Sequence, residues 1–179
     1  MKVAALIPHY DHAGTLPTVV SAMRAQGLPV LIVDDASPER CRPVLDELAG
    51  QDEVLVRHLP VNRGKGAVKA GMAWAHDLGY DHVLQVDADA QHALGDAARL
   101  LEVARAQPEV VVCAEPVYGD DAPRARLYGR KLTNFWAAIN TGSRQIRDGM
   151  CGFRIYPLGP VLKLLKEHRT GDRMDFDIE

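Results

Sequence analysis

Short apolar runs alternate with helix-like segments through the first half of the chain, and this alternation restricts the fold more than any other feature. The runs begin at Val3, Val30, Val54 and Val83, and the last of them leads into Asp87. Short connections from strand to helix to strand are typical of a parallel sheet that helices cover on both faces. We therefore predict a single α/β domain, and 179 residues are enough to bury its core.

Helix signals fill the connections between these runs. Thr15 can cap a first helix that ends at Gly27, and Ser37-Pro38 opens a second one. The strands are predicted over 3–7, 30–33, 54–56 and up to residue 87, with a further strand over 110–113. The remaining helices are predicted over about 67–78, 97–106, 124–141 and 160–168.

Composition narrows the class of protein. A net charge of −3 at pH 7 provides no basic surface for nucleic acid. Cys41, Cys113 and Cys151 are widely spaced without a CxxC pair, which argues against a disulfide framework or a zinc site and fits a reducing cytoplasm.

No apolar run reaches the length of a membrane span, and the N-terminal residues form a strand-like run rather than a signal peptide. Because the sequence stops abruptly at Ile178-Glu179, we expect the natural protein to continue.

Polar residues follow each predicted parallel strand, and parallel strands bring their carboxyl ends to one edge of the sheet. These groups are Pro8 to His12, Asp34-Asp35, the loop Arg63-Gly64-Lys65-Gly66, and Asp87 with Asp89. Each alone also fits a turn, a packing residue or a flexible connection. Together they predict a nucleotide pocket, in which Tyr10 stacks on a base, Asp35 accepts hydrogen bonds from it and Lys65 meets phosphate.

The carboxylates after the fourth strand predict a metal. Asp87 and Asp89, with Gln91 close behind, form an oxygen-rich group that suits Mg²⁺ or Mn²⁺ carrying phosphates. The alternative is that the two aspartates cap a turn or the next helix. His92 lies nearest this group, and we expect it to support the site or the helix entry rather than bind the metal itself.

The usual phosphate-binding motifs are missing from these loops. The residues after the first strand are PHYDHAG, which contain no GxGxxG pattern. Lys65 is followed by Gly66, so the loop is not a GxxxxGK[ST] motif either. The pocket is therefore predicted to hold phosphates chiefly through a metal and side chains.

Five segments, in order and in register, resemble the family 2 glycosyltransferases of the GT-A fold. Within that family the chain is similar to the branch of dolichyl-phosphate mannose synthase. The segments are IPHY at 7–10, IVDDAS at 32–37, NRGKGA at 62–67, QVDADAQH at 85–92 and CGFRIY at 151–156. The resemblance implies one GT-A catalytic domain over residues 1–179, with a Rossmann-like, mostly parallel sheet.

The resemblance also implies roles for single residues. The base and ribose would be bound by Pro8, Tyr10, Asp35 and the backbone of Val33, with Lys65 in the loop that lines the nucleotide. Asp87 and Asp89 would form the DxD motif, with Asp87 facing the ribose and donor sugar. Asp89 would bind the metal, and Gln91 is similar to a third ligand on the metal side. Arg124 or Arg130 would contact the donor phosphates.

Two residues depart from the family pattern. Asp11 stands where the family often has Asn, and Ala36 stands where it commonly has Gly. A positive φ at position 36 would be strained by the Cβ of Ala36, so we expect an ordinary backbone conformation there.

The reaction that the resemblance implies is metal-dependent, inverting transfer of a sugar from a UDP- or GDP-linked donor. The acceptor would be a lipid phosphate, or a lipid or glycan hydroxyl, in synthesis of the cell envelope. A hydroxyl acceptor needs a general base, for which Asp148 is the first candidate and Asp175 and Asp177 are rivals. Arg154 would hold a donor or acceptor phosphate, or pair with Asp148 and brace the loop. We expect a cytoplasmic protein with peripheral contact at the inner face of the membrane.

Two other classes of protein share parts of this pattern. A sugar-phosphate nucleotidyltransferase has a similar nucleotide-binding sheet, but it needs a Gly-rich basic signature after the first strand, which this chain lacks. A phosphate-binding or phosphoacceptor module is suggested by Asp34-Asp35 alone. That interpretation leaves Asp87, Asp89 and Gln91 without a role.

Overall fold

A six-stranded sheet forms the centre of the computed structural model, which describes residues 1–115, 139 and 151–168. The strand order is β3-β2-β1-β4-β6-β5, in which β1 to β4 run parallel and β6 runs antiparallel to both of its neighbours. The mostly parallel α/β architecture is therefore confirmed. The strands are β1 (Val3–His9), β2 (Val30–Asp34), β3 (Val54–His58), β4 (His82–Gln85), β5 (Val112–Cys113) and β6 (Arg154–Pro157).

Helices cover both faces of this sheet. They are α1 (Leu16–Ala25), α2 (Arg42–Ala49), α3 (Lys65–Asp77), α4 (Ala97–Ala106) and α5 (Leu158–Glu167), with 3₁₀ turns at Glu39–Cys41 and Leu94–Asp96. In the part of the chain that the structure describes, no helix is long and apolar enough to cross a membrane.

The alternation of side chains along the strands creates two separate cores. In β1, Ala5 and Ile7 face the cluster that contains the apolar residues of α1, α2 and α4, whereas Ala4 and Leu6 face the cluster that includes residues of α3 and α5. A strand that is buried on both faces needs an apolar residue at every position, which explains why the predicted runs are continuous rather than alternating. The polar residues are left for the strand ends.

Element boundaries differ from the prediction at several ends. Strand β4 ends at Gln85, two residues before Asp87, and β5 keeps only two of its four predicted residues. Helix α2 begins at Arg42, after a 3₁₀ turn, rather than at Ser37-Pro38. The predicted helix over 124–141 lies outside the described residues apart from residue 139.

The expected backbone conformation at Ala36 is wrong. Ala36 has a φ of 57°, in the left-handed region, which costs an L-residue of order 1 kcal/mol. Hydrogen bonds on both sides impose this turn: Asp35 N–H donates to the His9 carbonyl at 2.8 Å, and Ser37 N–H donates to the Asp34 carboxylate at 3.3 Å.

Candidate functional site

A cavity of about 490 Å³ opens at the carboxyl edge of β1, β2 and β4. It combines residues from the four loops that the sequence singled out, as the topology of a parallel sheet requires. Its lining residues are Pro8, His9, Tyr10, His12, Asp35, Asn62, Gly64, Ala67, Asp87, Ala88 and Asp89. Three carboxylates therefore converge on one pocket.

Asp35 fastens the loop after β3 to this pocket. Its side chain accepts hydrogen bonds from the backbone N–H groups of Arg63 and Gly64, each at 2.7 Å, and the Asn62 amide donates to its carbonyl at 3.2 Å. Gly64 has a φ of 58°, which turns these two N–H groups toward the carboxylate at the entry to α3. Tyr10 lines the same cavity and is 49% exposed, so its ring face is available to a ligand.

Asp34, the neighbour of Asp35, has its carboxylate in a different network. One of its oxygens lies 3.2 Å from His9 Nδ1 and the other 2.8 Å from His58 Nδ1. Burial by itself raises the pKa of Asp34, but hydrogen bonds from Ser37, His58 and His9 outweigh it and leave that pKa below its ordinary value. Ser37 and the two histidines, which the sequence did not connect with this strand end, thus keep the Asp34 carboxylate charged beside the turn at Ala36.

The hydrogen bonds of His9 define which ring nitrogen carries its proton. His12 N–H points at His9 Nε2 at 3.2 Å, so Nε2 accepts and Nδ1 donates, toward Asp34. Burial lowers the pKa of His9 more than the hydrogen bond to Asp34 raises it. His9 is therefore neutral and holds the first loop against the second.

The loop after β4 carries the other two carboxylates. Asp89 Oδ1 accepts the backbone N–H of Gln91 at 3.0 Å, and Asp87 Oδ2 lies 3.1 Å from His92 Nε2. Thr15 Oγ1 donates to the Ala88 carbonyl at 2.6 Å, between the two aspartates. Thr15 makes no side-chain bond to cap α1, so its predicted capping role is replaced by this contact with the loop.

His92 is a strongly perturbed group at this site. Its hydrogen bond to Asp87, and then that with Cys151, raise its pKa to about 10 against the opposing effect of burial. The imidazole is therefore a cation at neutral pH. Its ring stacks on that of Phe153, with 5.3 Å between the ring centroids.

The oxygen ligands in the pocket suit a hard divalent cation. The carboxylates of Asp87 and Asp89 both line the cavity, and Mg²⁺ and Mn²⁺ prefer oxygen ligands. Among residues 1–115, 139 and 151–168, no three His, Cys, Asp or Glu side chains form a group that could hold a metal. An ion at Asp89 would complete its coordination with water, the Gln91 amide or phosphate oxygens, as Mg²⁺ commonly does.

Within the described part of the chain, the other residues with predicted roles do not line the cavity. Val33 is fully buried in β2, in register with Pro8, so only its backbone can serve the pocket. Lys65 is the exposed first residue of α3 rather than part of a loop, and it is not among the residues that line the cavity. Arg154 is 6% exposed and donates from Nε to the Cys151 carbonyl at 2.7 Å, so it braces the start of β6. The candidates outside the described residues are Arg124, Arg130, Asp148, Asp175 and Asp177.

Sequence reasoning missed several residues of the site. His12 and Asn62 line the cavity, although neither was assigned a role, and His58 supports Asp34 from the next strand. Asn62 stands in one of the five family segments, which was a signal that could have found it. The pairing of His58 with Asp34 joins residues 24 positions apart, and no local pattern indicates it.

Comparisons with known proteins agree on one family. A family model described as glycosyl transferase family 2 matches residues 4–163. The polyprenol monophosphomannose synthase of Mycolicibacterium smegmatis is 31% identical over 163 residues, which cover 87% of this chain and 61% of that protein. The undecaprenyl-phosphate mannosyltransferase of Micrococcus luteus is 36% identical over 116 residues, which cover 62% of this chain and 47% of that protein. The chain thus spans about half the length of the curated relatives it matches.

Solved structures share the fold. S. aureus TarS in complex with UDP-GlcNAc superposes with a TM-score of 0.55 at 18% identity, over 93% of this chain and 47% of that one. A mannosyltransferase from Pyrobaculum calidifontis, in complex with GDP-Man and Mn²⁺, superposes with a TM-score of 0.53 at 20% identity, over 64% of this chain and 36% of that one. At this level of identity the likeness shows the fold alone, and the predicted GT-A fold is confirmed.

Proposed function

Because the chain belongs to glycosyl transferase family 2, we propose that it transfers a sugar from a nucleotide diphosphate donor to a polyprenyl phosphate. The observation that carries this proposal is the convergence of Tyr10, Asp35, Asp87 and Asp89 on one cavity of about 490 Å³. That volume is in the range of small-ligand sites. The acceptor class is supported by two relatives whose names include a polyprenol or undecaprenyl phosphate substrate.

The donor is proposed to lie across the carboxyl ends of β1, β2 and β4. Tyr10 offers an exposed ring face for the base, and the Asp35 carboxylate has acceptor capacity left beyond its two bonds to backbone N–H groups. Asp87 and Asp89 line the same cavity from the loop after β4, and β1 separates this strand from β2, which Asp35 follows. This separation fits a ligand with a flat, hydrogen-bonding end and a charged end.

A divalent ion is proposed to be held at Asp89, with Gln91 as a further oxygen ligand. When bound, it would neutralise the charge that develops on the departing diphosphate. The structure of a relative in fold that contains GDP-Man and Mn²⁺ supports this assignment. Asp87 is proposed to orient the ribose and the donor sugar.

Transfer is proposed to invert the anomeric carbon, with the acceptor attacking from the face opposite the diphosphate. A polyprenyl phosphate is anionic at neutral pH and attacks without a general base. For a hydroxyl acceptor, Asp148 remains the proposed base. Use of a lipid acceptor would bring the protein to the inner face of the cytoplasmic membrane.

A binding experiment tests the donor site. Thermal unfolding is measured with UDP, GDP and NAD, each with and without MnCl₂. Stabilisation by UDP or GDP only when Mn²⁺ is present supports the proposal. A ligand at one hundred times its Kd should increase the free energy of unfolding by about 2.7 kcal/mol. Asp89→Ala should remove this effect and stay folded, whereas Asp52→Ala, in an exposed turn, should retain it. Equal binding by Asp89→Ala would show that the site is assigned wrongly.

A transfer experiment tests the reaction. The protein is incubated with GDP-mannose, Mn²⁺ and a polyprenyl phosphate in detergent, and the product is isolated for NMR. A β-linked mannosyl phosphate from the α-linked donor is the expected result of inversion. Formation of an α-linked product, or of a nucleotide-linked sugar from a sugar phosphate, would contradict the proposal.

A further inference from the structure

The segment Cys151-Gly152-Phe153 precedes β6 and lies beside the loop that carries Asp87. Strand β6 pairs antiparallel with β4, and Gln85 stands opposite Arg154. The residues just before Arg154 therefore lie next to the residues just after Gln85. These three residues, the CGF segment, begin the CGFRIY stretch that resembles the family. They have no assigned role in the proposed donor site.

Gly152 leaves room for the carboxylate of Asp87. A Cβ at position 152 would lie 2.3 and 2.4 Å from the two carboxylate oxygens of Asp87 and 2.6 Å from its Cγ. Real Cβ atoms essentially never make such contacts. The backbone of Gly152 is not in the left-handed region, so space rather than conformation requires glycine there.

His92 holds the same carboxylate from another side. Its Nε2 lies 3.1 Å from Asp87 Oδ2, and its ring stacks on Phe153 with an interplanar angle of 19°. Phe153 is 2% exposed, so the surface against which His92 rests is part of the core. The Asp87 side chain is 41% exposed and would have several accessible rotamers without these contacts.

We propose that His92 is a positioning residue for the donor: it fixes the carboxylate of Asp87, with Phe153 orienting its ring and Gly152 leaving the carboxylate its place. This inference rests on the proposed function, because it assigns Asp87 to the donor sugar. It assigns the CGF segment to the support of Asp87. His92 itself does not touch the reacting atoms.

Two variants of His92 separate its hydrogen bond from its ring. His92→Phe retains an aromatic ring for Phe153 and loses the donor to Asp87, whereas His92→Gln retains an N–H donor and loses the ring. We expect His92→Phe to lower kcat for transfer from GDP-mannose to a polyprenyl phosphate by about a hundredfold, the cost of displacing a positioned group by about 1 Å. GDP has the ribose that Asp87 is proposed to orient but lacks the donor sugar, so the Kd for GDP with Mn²⁺ should rise by a smaller factor than kcat falls. His92→Gln should recover part of kcat.

His92→Phe in an Asp87→Asn background distinguishes a positioning role of His92 from a general structural role. If His92 acts through Asp87, His92→Phe should have no further effect on kcat once the carboxylate is gone. An equal loss in both backgrounds would overturn the inference. Gly152→Ala should lower kcat as His92→Phe does, and Gly159→Ala, where a Cβ meets nothing within 4 Å, is the matched control.

Crystal structures of the wild type and His92→Phe without nucleotide give an answer that does not depend on activity. The carboxylate of Asp87 should be fixed in the wild type, and in the variant it should be displaced or occupy several conformations. An unchanged carboxylate in the variant would overturn the inference. Failure of the wild type to bind UDP or GDP would contradict the proposed function instead, while these two structures still decide the role of His92.

Discussion

Two adjacent aspartates show how much the surroundings of a residue decide its role. Asp35 accepts two backbone N–H groups and lines the cavity, whereas the carboxylate of Asp34 lies between His9 and His58. A buried carboxylate is tolerated when several donors satisfy it. The pair therefore divides two tasks: Asp35 lines the cavity and holds the loop after β3, whereas Asp34 supports the turn at Ala36.

The neutral, buried His9 should make folding sensitive to mild acid. Its folded pKa is lowered by burial, so below about pH 6.5 the unfolded chain binds a proton that the folded chain does not. As the pH decreases below this value, the contribution of His9 to the free energy of unfolding should decrease by up to about 1.4 kcal/mol per pH unit. Asp34, with its lowered pKa, stays ionised in this window and does not obscure the effect.

The measurement compares the wild type with His9→Asn, which retains an N–H donor but cannot titrate. Urea unfolding at pH 7.5, 6.0 and 5.0 gives the free energy of unfolding of each protein. The wild type should be more stable than His9→Asn by the largest margin at pH 7.5, and this margin should shrink as the pH falls. Two parallel curves would show that His9 is not buried as a neutral group.

Gly71→Ala should destabilise the fold by about 1 kcal/mol. A Cβ there would lie 2.4 Å from Leu6 Cδ1 and 3.0 Å from Val33 Cγ2, inside the core between α3 and the sheet. Overpacking costs about 1–3 kcal/mol, and the better helix propensity of Ala returns at most about 1 kcal/mol. Gly159→Ala on α5, where the space is open, should be neutral or slightly stabilising. Urea unfolding checks both, and a Gly71→Ala protein as stable as the wild type would refute the prediction.

At this scale, the sequence located residues but did not identify their partners. Tyr10, Asp35, Asp87 and Asp89 line the predicted pocket because the end of a parallel strand can be read from an apolar run. The turn at Ala36 was predicted wrongly, since its φ depends on hydrogen bonds from another strand end. Long-range side-chain pairs leave no local pattern.

Thr15, which directly precedes α1, ties this helix to the loop after β4 through a hydrogen bond from its Oγ1 to the Ala88 carbonyl at 2.6 Å. Thr15→Val removes the hydroxyl donor with little change of shape and leaves the Ala88 carbonyl without this hydrogen bond. The free energy of unfolding should decrease by about 1–3 kcal/mol. The substitution should also weaken the binding of GDP with Mn²⁺, because Asp87 and Asp89 flank Ala88. Urea unfolding and titration calorimetry measure the two effects.

Thr15→Ser is the matched control for this contact, because it retains the hydroxyl group. It should lose much less stability than Thr15→Val and bind GDP with Mn²⁺ almost as the wild type does. If both variants behave alike, the hydroxyl group does not hold the loop.

The elements themselves were predicted well where periodicity and end signals agree. Helix α4 has the predicted bounds, and α1 ends before Gly27, whose φ is 73°. Strand β4 ends earlier than predicted: its pairing with β1 stops at Leu6 opposite Gln85, although β1 itself continues to His9 beside β2. Pairing, which the sequence does not display, decided where the strand ends.

For the whole molecule, the alternation of runs and helices was enough to predict a mostly parallel α/β domain. The family resemblance carried by five segments is also confirmed. The antiparallel insertion of β6 between β4 and β5 was not predicted, because residues 154–157 give no signal of their direction. Strand direction follows from the path of the connection, and residues 116–138 and 140–150 of that path lie outside the described structure.

The position of β6 has a consequence for synthesis on the ribosome. Strands β1 to β4 can pair as soon as residue 85 has emerged, whereas in the described sheet β5 bonds only to β6 and must wait for residues 154–157. During that interval one margin of the nascent sheet, along β4, has open N–H and C=O groups, which other chains can pair with. Vectorial translation therefore produces all the described residues that line the cavity, from Pro8 to Asp89, before the CGF segment that lies beside Asp87 has been made.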